Sequence, residues 1–143
     1  TFSEIGQLAG ISNTDWSWSA LFSDLDNDGY KDLFVSNGYV KDYTDMDFLK
    51  FTMDQTIRAR QEGNTVTTQD YIEKMPTINI PNYTFRNLGN DRFEKVNEAW
   101  GLDKKGISAG AAYVDLDNDG DMDLVINNTN EYLASNLISK HKS

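Results

Sequence analysis

One acidic nonapeptide occurs twice in this chain of 143 residues, and each copy restricts how the chain can fold. The first acidic loop reads DLDNDGYKD at residues 24–32, and the second acidic loop reads DLDNDGDMD at residues 115–123. Both place aspartates at positions 1, 3, 5 and 9 and a glycine at position 6. Carboxylates this close repel one another unless a cation lies between them. The pattern therefore predicts two tight turns that gather oxygen atoms around a positive charge.

The similarity between the two copies extends well beyond the acidic loops. Residues 2–38 align with residues 93–129 without a gap. The identical pairs outside the loops include Phe2 with Phe93, Gly10 with Gly101, Ser17 with Ser108, Ala20 with Ala111, and Asn37 with Asn128. Ungapped self-similarity of this kind indicates a repeated supersecondary unit.

The residues that flank each loop have the pattern of β-strands. Residues 16–23 and 107–114 alternate with period two, and small residues on one face predict close packing against another sheet. Leu33–Val35 and Leu124–Ile126 follow the loops as short β-branched or aromatic runs, which favour buried strands. Two more short strands are predicted at residues 83–87 and 92–96, joined by a turn.

Residues 41–80 have no counterpart within the aligned copies. A helix is predicted there, because apolar residues recur at helical spacing after a possible N-cap at Thr44: Met46, Leu49, Met53 and Ile57. The segment TTQDYIEKM predicts a second short helix that ends before Pro76 or Pro81. We therefore expect a helical insertion over residues 41–81 between two strands.

Composition limits the classes of partner. The net charge is −10, with 23 acidic against 13 basic residues, so nucleic acid is an unsuitable partner. The chain contains no cysteine, which rules out disulfides and thiolate metal ligands. No apolar run approaches the roughly 18 residues of a membrane span, and the N-terminal residues lack the features of a signal peptide.

The spacing of the aspartates favours calcium. Side-chain oxygens at positions 1, 3, 5 and 9 can converge on one cation, a glycine at position 6 permits the sharp turn, and the carbonyl at position 7 can point inward. A bidentate final aspartate brings the total to six or seven hard oxygen ligands, which favours Ca²⁺ over Mg²⁺ or Zn²⁺. The predicted ligands of the two Ca²⁺ sites are Asp24, Asp26, Asp28, Tyr30 and Asp32 in the first loop, and Asp115, Asp117, Asp119, Asp121 and Asp123 in the second.

Acidic loops of this kind have two other interpretations. A solvated acidic turn is possible for one copy, because Asp, Asn and Gly all favour turns, but the same ligand positions in two copies favour a metal site. An EF-hand needs a Glu at position 12 and flanking helices. Position 12 is Val35 in one copy and Ile126 in the other, and strands flank both loops, so an EF-hand is excluded.

Loops of the form D-x-D-x-D-G-x-x-D between two strands make the chain resemble the FG-GAP/VCBS repeats, which form the calcium-binding blades of integrin-α-like β-propellers. The stretch YTFRNLGNDRFEKV (83–96) and the subsequent AWGL and SAGAAYVDLDNDGDMDLVINN continue the resemblance, which covers residues 1–40 and 82–138. The first copy is also similar to VCBS repeat-containing surface proteins of the Bacteroidetes type.

The resemblance implies a mainly β fold with about two incomplete four-stranded propeller blades and a helical insertion. The implied strands of the first blade are 17–23, 32–37, 82–88 and 92–97, and those of the second are 107–114, 123–128 and 133–138. The resemblance also implies a division of the chain. Residues 1–12 hold the last strand of a preceding blade, at 2–5, and a linker, and the first blade comprises 13–40 and 82–97. The insertion comprises 41–81, and the second, incomplete blade with a C-terminal tail comprises 98–143. Because propellers close with about four to eight blades, further blades of a parent propeller are expected as partners.

The function expected from these features is a noncatalytic calcium-binding module of a larger cell-surface protein, with a protein or glycan ligand. Sites of this kind fill where calcium is plentiful, so an extracytoplasmic location, at a bacterial cell surface or in the periplasm, is expected. The alternative is part of a carbohydrate-active propeller enzyme, a polysaccharide lyase or hydrolase, but the carboxylates that can be placed are committed to metal. Trp16 and Trp18 share a strand face, where core packing between blades is expected and a sugar-stacking platform is the alternative.

Overall fold

The computed structural model describes residues 2–39, 41–42, 44–65, 67–76, 78 and 80–129. The chain forms two compact units, of which the first comprises Thr1–Gly38 with Asn79–Ser143 and the second comprises Tyr39–Ile78. The strands of the described residues lie in the first unit: β1 Ser17–Ser23, β2 Asp32–Asn37, β3 Ile80–Pro81, β4 Tyr83–Asn87, β5 Phe93–Lys95, β6 Lys105–Gly106, β7 Ser108–Val114 and β8 Asp123–Asn128. The helices are α1 Gly6–Ala9 in the first unit, and α2 Met46–Gln61 and α3 Thr68–Lys74 in the second.

The first unit is built of antiparallel strands. Four strands form one sheet in the order β1-β2-β4-β5, while β7 pairs with β8 and the short β3 pairs with β6. Each acidic loop joins the two strands of a hairpin, since the first connects β1 to β2 and the second connects β7 to β8. An up-and-down four-stranded sheet is the arrangement of a propeller blade.

Strand β2 is buried along its whole length, because it pairs with β1 on one side and β4 on the other. Leu33 and Val35 face one side of the sheet and form a core cluster with Phe85 of β4. Phe34 faces the opposite side and packs against Leu124 and Ile126 of β8. The second cluster therefore joins the four-stranded sheet to the β7–β8 hairpin.

The buried face of β1 is the one with the smaller side chains. Leu21 packs into the cluster that joins the sheets, as the alternation of small residues predicted. The aromatic face is solvent-accessible: Trp16, Trp18 and Phe22 are 41%, 55% and 48% exposed. Core packing of the two tryptophans, which we expected from the sequence, is therefore not found among the described residues. The neighbouring hairpin approaches the small-residue face instead, since sheets pack closely where side chains are short.

Hydrogen-bonded polar side chains, of which Asn37, Asn82 and Ser108 are buried, repeat with the strands and connect the sheets. Ser17 Oγ donates to Asn37 Oδ1 at 2.8 Å, and the equivalent Ser108 Oγ donates to Asn128 Oδ1 at 2.6 Å. Asn82 lies between the two pairs, because its Oδ1 accepts from the Asn37 N–H at 2.8 Å and its Nδ2 donates to Ser108 Oγ at 2.9 Å. Satisfied buried groups of this kind favour one arrangement of the sheets over its alternatives.

In the second unit, α2 begins after Asp45, whose carboxylate accepts hydrogen bonds from the N–H groups of Asp47 and Phe48. The predicted cap Thr44 is therefore wrong by one residue. An N-cap side chain must reach the second and third N–H groups of the helix, and Asp45 is the residue placed to do so. Helix α3 begins with a capping box formed by Thr67 and Asp70. None of the described helices is long and apolar enough to cross a membrane.

The N-terminal segment differs from the strand that the resemblance implied. Residues 2–5 pair with no strand among the residues that the structure describes, and the short helix α1 comes directly after them. A strand is defined by hydrogen bonds to a neighbouring strand, and no strand in the described part of the chain supplies them. Helix α1 ends at Gly10, whose φ of 81° is the left-handed conformation that glycine adopts readily. The strand implied at residues 133–138 lies outside the described residues.

Candidate metal centre

The two acidic loops have the same backbone conformation. At position 4, Asn27 and Asn118 have φ of 59° and 57°, which is the left-handed region that asparagine tolerates better than most residues. At position 6, Gly29 and Gly120 have φ of 91° and 90°. The glycines are needed there because a Cβ atom would be strained at this φ.

The first aspartate of each loop holds the turn in the same way. Asp24 Oδ2 accepts a hydrogen bond from the Gly29 N–H at 2.9 Å, and Asp115 Oδ2 accepts one from the Gly120 N–H at 3.0 Å. These bonds draw the glycine of the turn toward the start of the loop. The local sequence thus forms the turn. The carboxylates at positions 1 and 3 then lie close together, and a third carboxylate of the same loop joins them.

Three carboxylates converge in each loop. In the first loop they belong to Asp24, Asp26 and Asp28, and one oxygen from each lies within 4.8 Å of the other two. In the second loop the same limit of 4.8 Å holds for a different set, Asp115, Asp117 and Asp123. Oxygens bound to Ca²⁺ lie about 2.3–2.6 Å from the ion, so ligands of one ion are separated by no more than about 5 Å. Both clusters meet this requirement.

Asp32, the ninth residue of the first loop, has a structural task that its spacing did not indicate. Its side chain is fully buried, with 0% exposure, and its two oxygens accept from the Leu25 N–H at 3.0 Å and the Asn87 N–H at 2.9 Å. Burial raises the pKa of Asp32, and the two hydrogen bonds lower it by a smaller amount. The nearby carboxylates of Asp26 and Asp28 raise the pKa further. Asp32 therefore ties the first loop to β4, outside the cluster of three carboxylates.

Asp123 occupies the same position in the second loop and does join its cluster. Its Oδ2 accepts from the Leu116 N–H at 3.0 Å, as Asp32 does from the equivalent residue. Asp119 does not join the cluster, and its Oδ1 accepts from the Asp121 N–H at 2.9 Å. The predicted roles of the position-7 carbonyls of Tyr30 and Asp121 stay predictions.

An arginine that the sequence did not single out contacts the first loop. Arg86 of β4 lies with its Nε 2.7 Å from Asp26 Oδ2, and its Nη2 donates to Asp28 Oδ2 at 2.9 Å. The Nε contact is ionic, because its N–H is not aligned for a hydrogen bond. The hydrogen bond from the Tyr30 N–H lowers the pKa of Asp28, and Arg86 lowers it further. The carboxylates of Asp28 and Asp26 in turn raise the pKa of Arg86.

The donor set of the second loop fits a hard divalent cation. Asp115 Oδ1 is buried and has no hydrogen-bond partner among the described residues. A buried carboxylate oxygen without a partner is costly, and a bound cation removes that cost. All donors in both clusters are carboxylate oxygens, which suit Ca²⁺ and Mg²⁺ and serve Zn²⁺ poorly. Such an ion would offset two of the three negative charges in a cluster and hold the loop closed.

The model of the FG-GAP-like repeat family matches residues 76–126. The matched segment contains β4, β5, β7 and the second acidic loop, while the first acidic loop lies outside it. No curated protein and no solved structure gave a match. Together with the antiparallel sheets, the match confirms the prediction of a mainly β fold made of incomplete propeller blades. The similarity to surface proteins of the Bacteroidetes type stays a prediction. Residues 76–126 of this chain are therefore similar to the FG-GAP-like repeat family.

Proposed function

We propose that this chain is a noncatalytic, calcium-stabilised segment of a β-propeller that serves as a structural and binding module. The observation that carries the proposal is the buried, unpartnered oxygen of Asp115 within a cluster of three carboxylates. The equivalent backbone of the first loop supports a second ion there. Each Ca²⁺ would act structurally, since binding to the folded loop alone adds its binding free energy to the free energy of folding.

The proposal includes a protein or glycan ligand and a larger parent protein at a cell surface or in the periplasm. Repeats of this type form one blade each, and the binding surfaces of propellers lie on the loops between strands. The exposed rings of Trp18 and Phe22 lie on one face of β1, where a sugar or an apolar side chain could stack. Loops of this kind need calcium, and calcium is plentiful outside the cytosol, which supports an extracytoplasmic location.

A calcium titration tests the core of the proposal. Calorimetry on chelator-treated protein is expected to show two bound Ca²⁺ ions, and Mg²⁺ is expected to bind much more weakly. At a calcium concentration of 100 times Kd, each site adds about 2.7 kcal/mol to the free energy of unfolding. The melting temperature, measured in the same samples, should therefore rise with calcium.

Single substitutions assign the ions to the loops. Asp28→Ala and Asp117→Ala are each expected to remove one bound ion, because each deletes one of three converging carboxylates. The matched control is Asp54→Ala, which removes the same charge from the exposed surface of α2 and should leave both ions bound. If the folded parent binds no calcium, or if the control removes an ion as readily as the loop variants, the proposal is wrong.

A further inference from the structure

The contact between Arg86 and the first acidic loop suggests how that loop responds to calcium, an inference that rests on the proposed function. The register of the sheet brings the two together, since β4 pairs with β2 and Leu33 lies opposite Phe85. Arg86 comes directly after Phe85, at the end of the sheet where the first loop enters β2. The arginine therefore reaches the carboxylate of Asp28, which lies 58 positions away in the sequence, and that of Asp26.

The guanidinium engages two of the three carboxylates that converge in the loop. Its Nε and Nη2 lie 2.7 Å and 2.9 Å from the Oδ2 atoms of Asp26 and Asp28. The carboxylates are partly shielded, with side-chain exposures of 13% for Asp26 and 25% for Asp28. A positive charge is thus already present beside the position that the loop offers to a metal ion.

The second loop differs in this respect. Among residues 2–39, 41–42, 44–65, 67–76, 78 and 80–129, no ion pair reaches Asp115, Asp117 or Asp123. Asp115 Oδ1 has no hydrogen-bond partner in the same part of the chain. The two loops share a backbone conformation. They differ in charge at Lys31, where the second loop has Met122, and at Asp121, where the first has Tyr30. Arg86 is the group that forms ion pairs with the clustered carboxylates of the first loop.

We propose that Arg86 is an internal counter-ion of the first acidic loop that competes with calcium for its carboxylates. Without calcium, the guanidinium reduces the repulsion between Asp26 and Asp28 and keeps the loop closed. When Ca²⁺ binds, the arginine has to withdraw from the shared oxygens or stay beside a divalent cation of the same sign. Either event lowers the affinity of the first loop, because like charges at short distance repel even where solvent screens them.

The inference is tested by measuring each loop alone. In an Asp117→Ala background only the first loop is expected to bind, and in an Asp24→Ala background only the second. Adding Arg86→Gln to the first background should tighten calcium binding about tenfold, which is the effect expected of removing one partly screened charge beside a divalent ion. Adding it to the second background should leave the affinity unchanged. An unchanged or weaker affinity of the first loop overturns the inference.

Two further variants distinguish the effect of the arginine's charge from a general loss of stability. Arg86→Lys keeps the positive charge but cannot contact two carboxylates with a planar fork, and its affinity for calcium should stay within about threefold of the parent. If Arg86→Lys binds as tightly as Arg86→Gln, charge competition is not the cause and the inference fails. Arg58→Gln removes an equal charge from α2 in the other unit and should have no effect.

Melting in chelator adds a readout that involves no metal. Arg86→Gln should melt below the parent there, because the loop carboxylates lose their counter-ion, and Arg58→Gln should not. Equal melting of Arg86→Gln and parent in chelator would overturn the counter-ion role. If the second loop binds calcium while Arg86→Gln leaves the first loop unaffected, only this inference fails. If neither loop of the folded parent binds calcium, the proposed function fails as well.

Discussion

Replacing Asp32 with alanine is expected to lower the free energy of unfolding by about 2–4 kcal/mol, even in chelator. Asp32 is fully buried, and its two oxygens accept from the N–H groups of Leu25 and Asn87. The alanine leaves both N–H groups without an acceptor. The loss is limited because burial already disfavours the charged carboxylate, and because the two backbone groups lie in half-buried residues that water can reach in part.

Urea denaturation of parent and variant in chelator measures this loss. Asp32→Asn is the matched variant, because its amide keeps one acceptor oxygen and should retain about half of the lost stability. Asp103→Ala, in the exposed loop before β6, removes a charge without a buried partner and should change stability by less than about 0.5 kcal/mol. A variant as stable as the parent would show that the two hydrogen bonds contribute nothing to the fold.

The raised pKa of Asp32 also gives the effect of pH a definite sign. A carboxyl whose folded pKa lies above the ordinary value of 3.8 binds its proton more tightly in the folded protein. Its contribution to stability therefore decreases as the pH rises from 3.8 through the folded pKa. The stability difference between the parent and Asp32→Ala should accordingly be larger below this window than at neutral pH. A pH series of unfolding curves that shows the opposite slope would contradict the burial of the charge.

Phe34→Ala is expected to cost about 3–5 kcal/mol of unfolding free energy. Phe34 has no exposed surface and packs against Leu124 and Ile126, so the truncation leaves a cavity between the four-stranded sheet and the β7–β8 hairpin. Leu124 is the residue directly after Asp123 of the second carboxylate cluster. The same variant should therefore also weaken calcium binding at the second loop.

Phe22→Ala is the control, because it removes the same side chain from the neighbouring strand at a position that is 48% exposed. It should cost about 1 kcal/mol or less. Urea unfolding gives both values, and an unchanged m value would show that the fold is retained. Equal costs for the two phenylalanines would mean that the cluster around Phe34 does not join the sheets.

Much of the architecture could be predicted from the sequence, because it depends on residues close together in the chain. β1, β2 and β8 lie at the bounds implied by the resemblance, and β7 begins one residue later. The conformations of Asn27 and Gly29, repeated at Asn118 and Gly120, are local preferences of these residue types. The two acidic turns result from the same local chemistry, and so does the approach of the carboxylates at positions 1 and 3 in each.

Only the tertiary structure decided which contacts surround the loops. Asp32 was predicted as a metal ligand by spacing, and that role stays a prediction. The pairing of β2 with β4 adds a contact that spacing did not indicate, because it presents the Asn87 N–H to Asp32 Oδ1. The same pairing brings Arg86 to Asp26 and Asp28, and nothing within the segment YTFRN indicates this. The exposure of Trp16 and Trp18 on the other face of β1 likewise depended on which strands lie beside it. Spacing along a strand determines which side chains share a face or a turn, whereas burial and pairing depend on strands that are distant in the sequence.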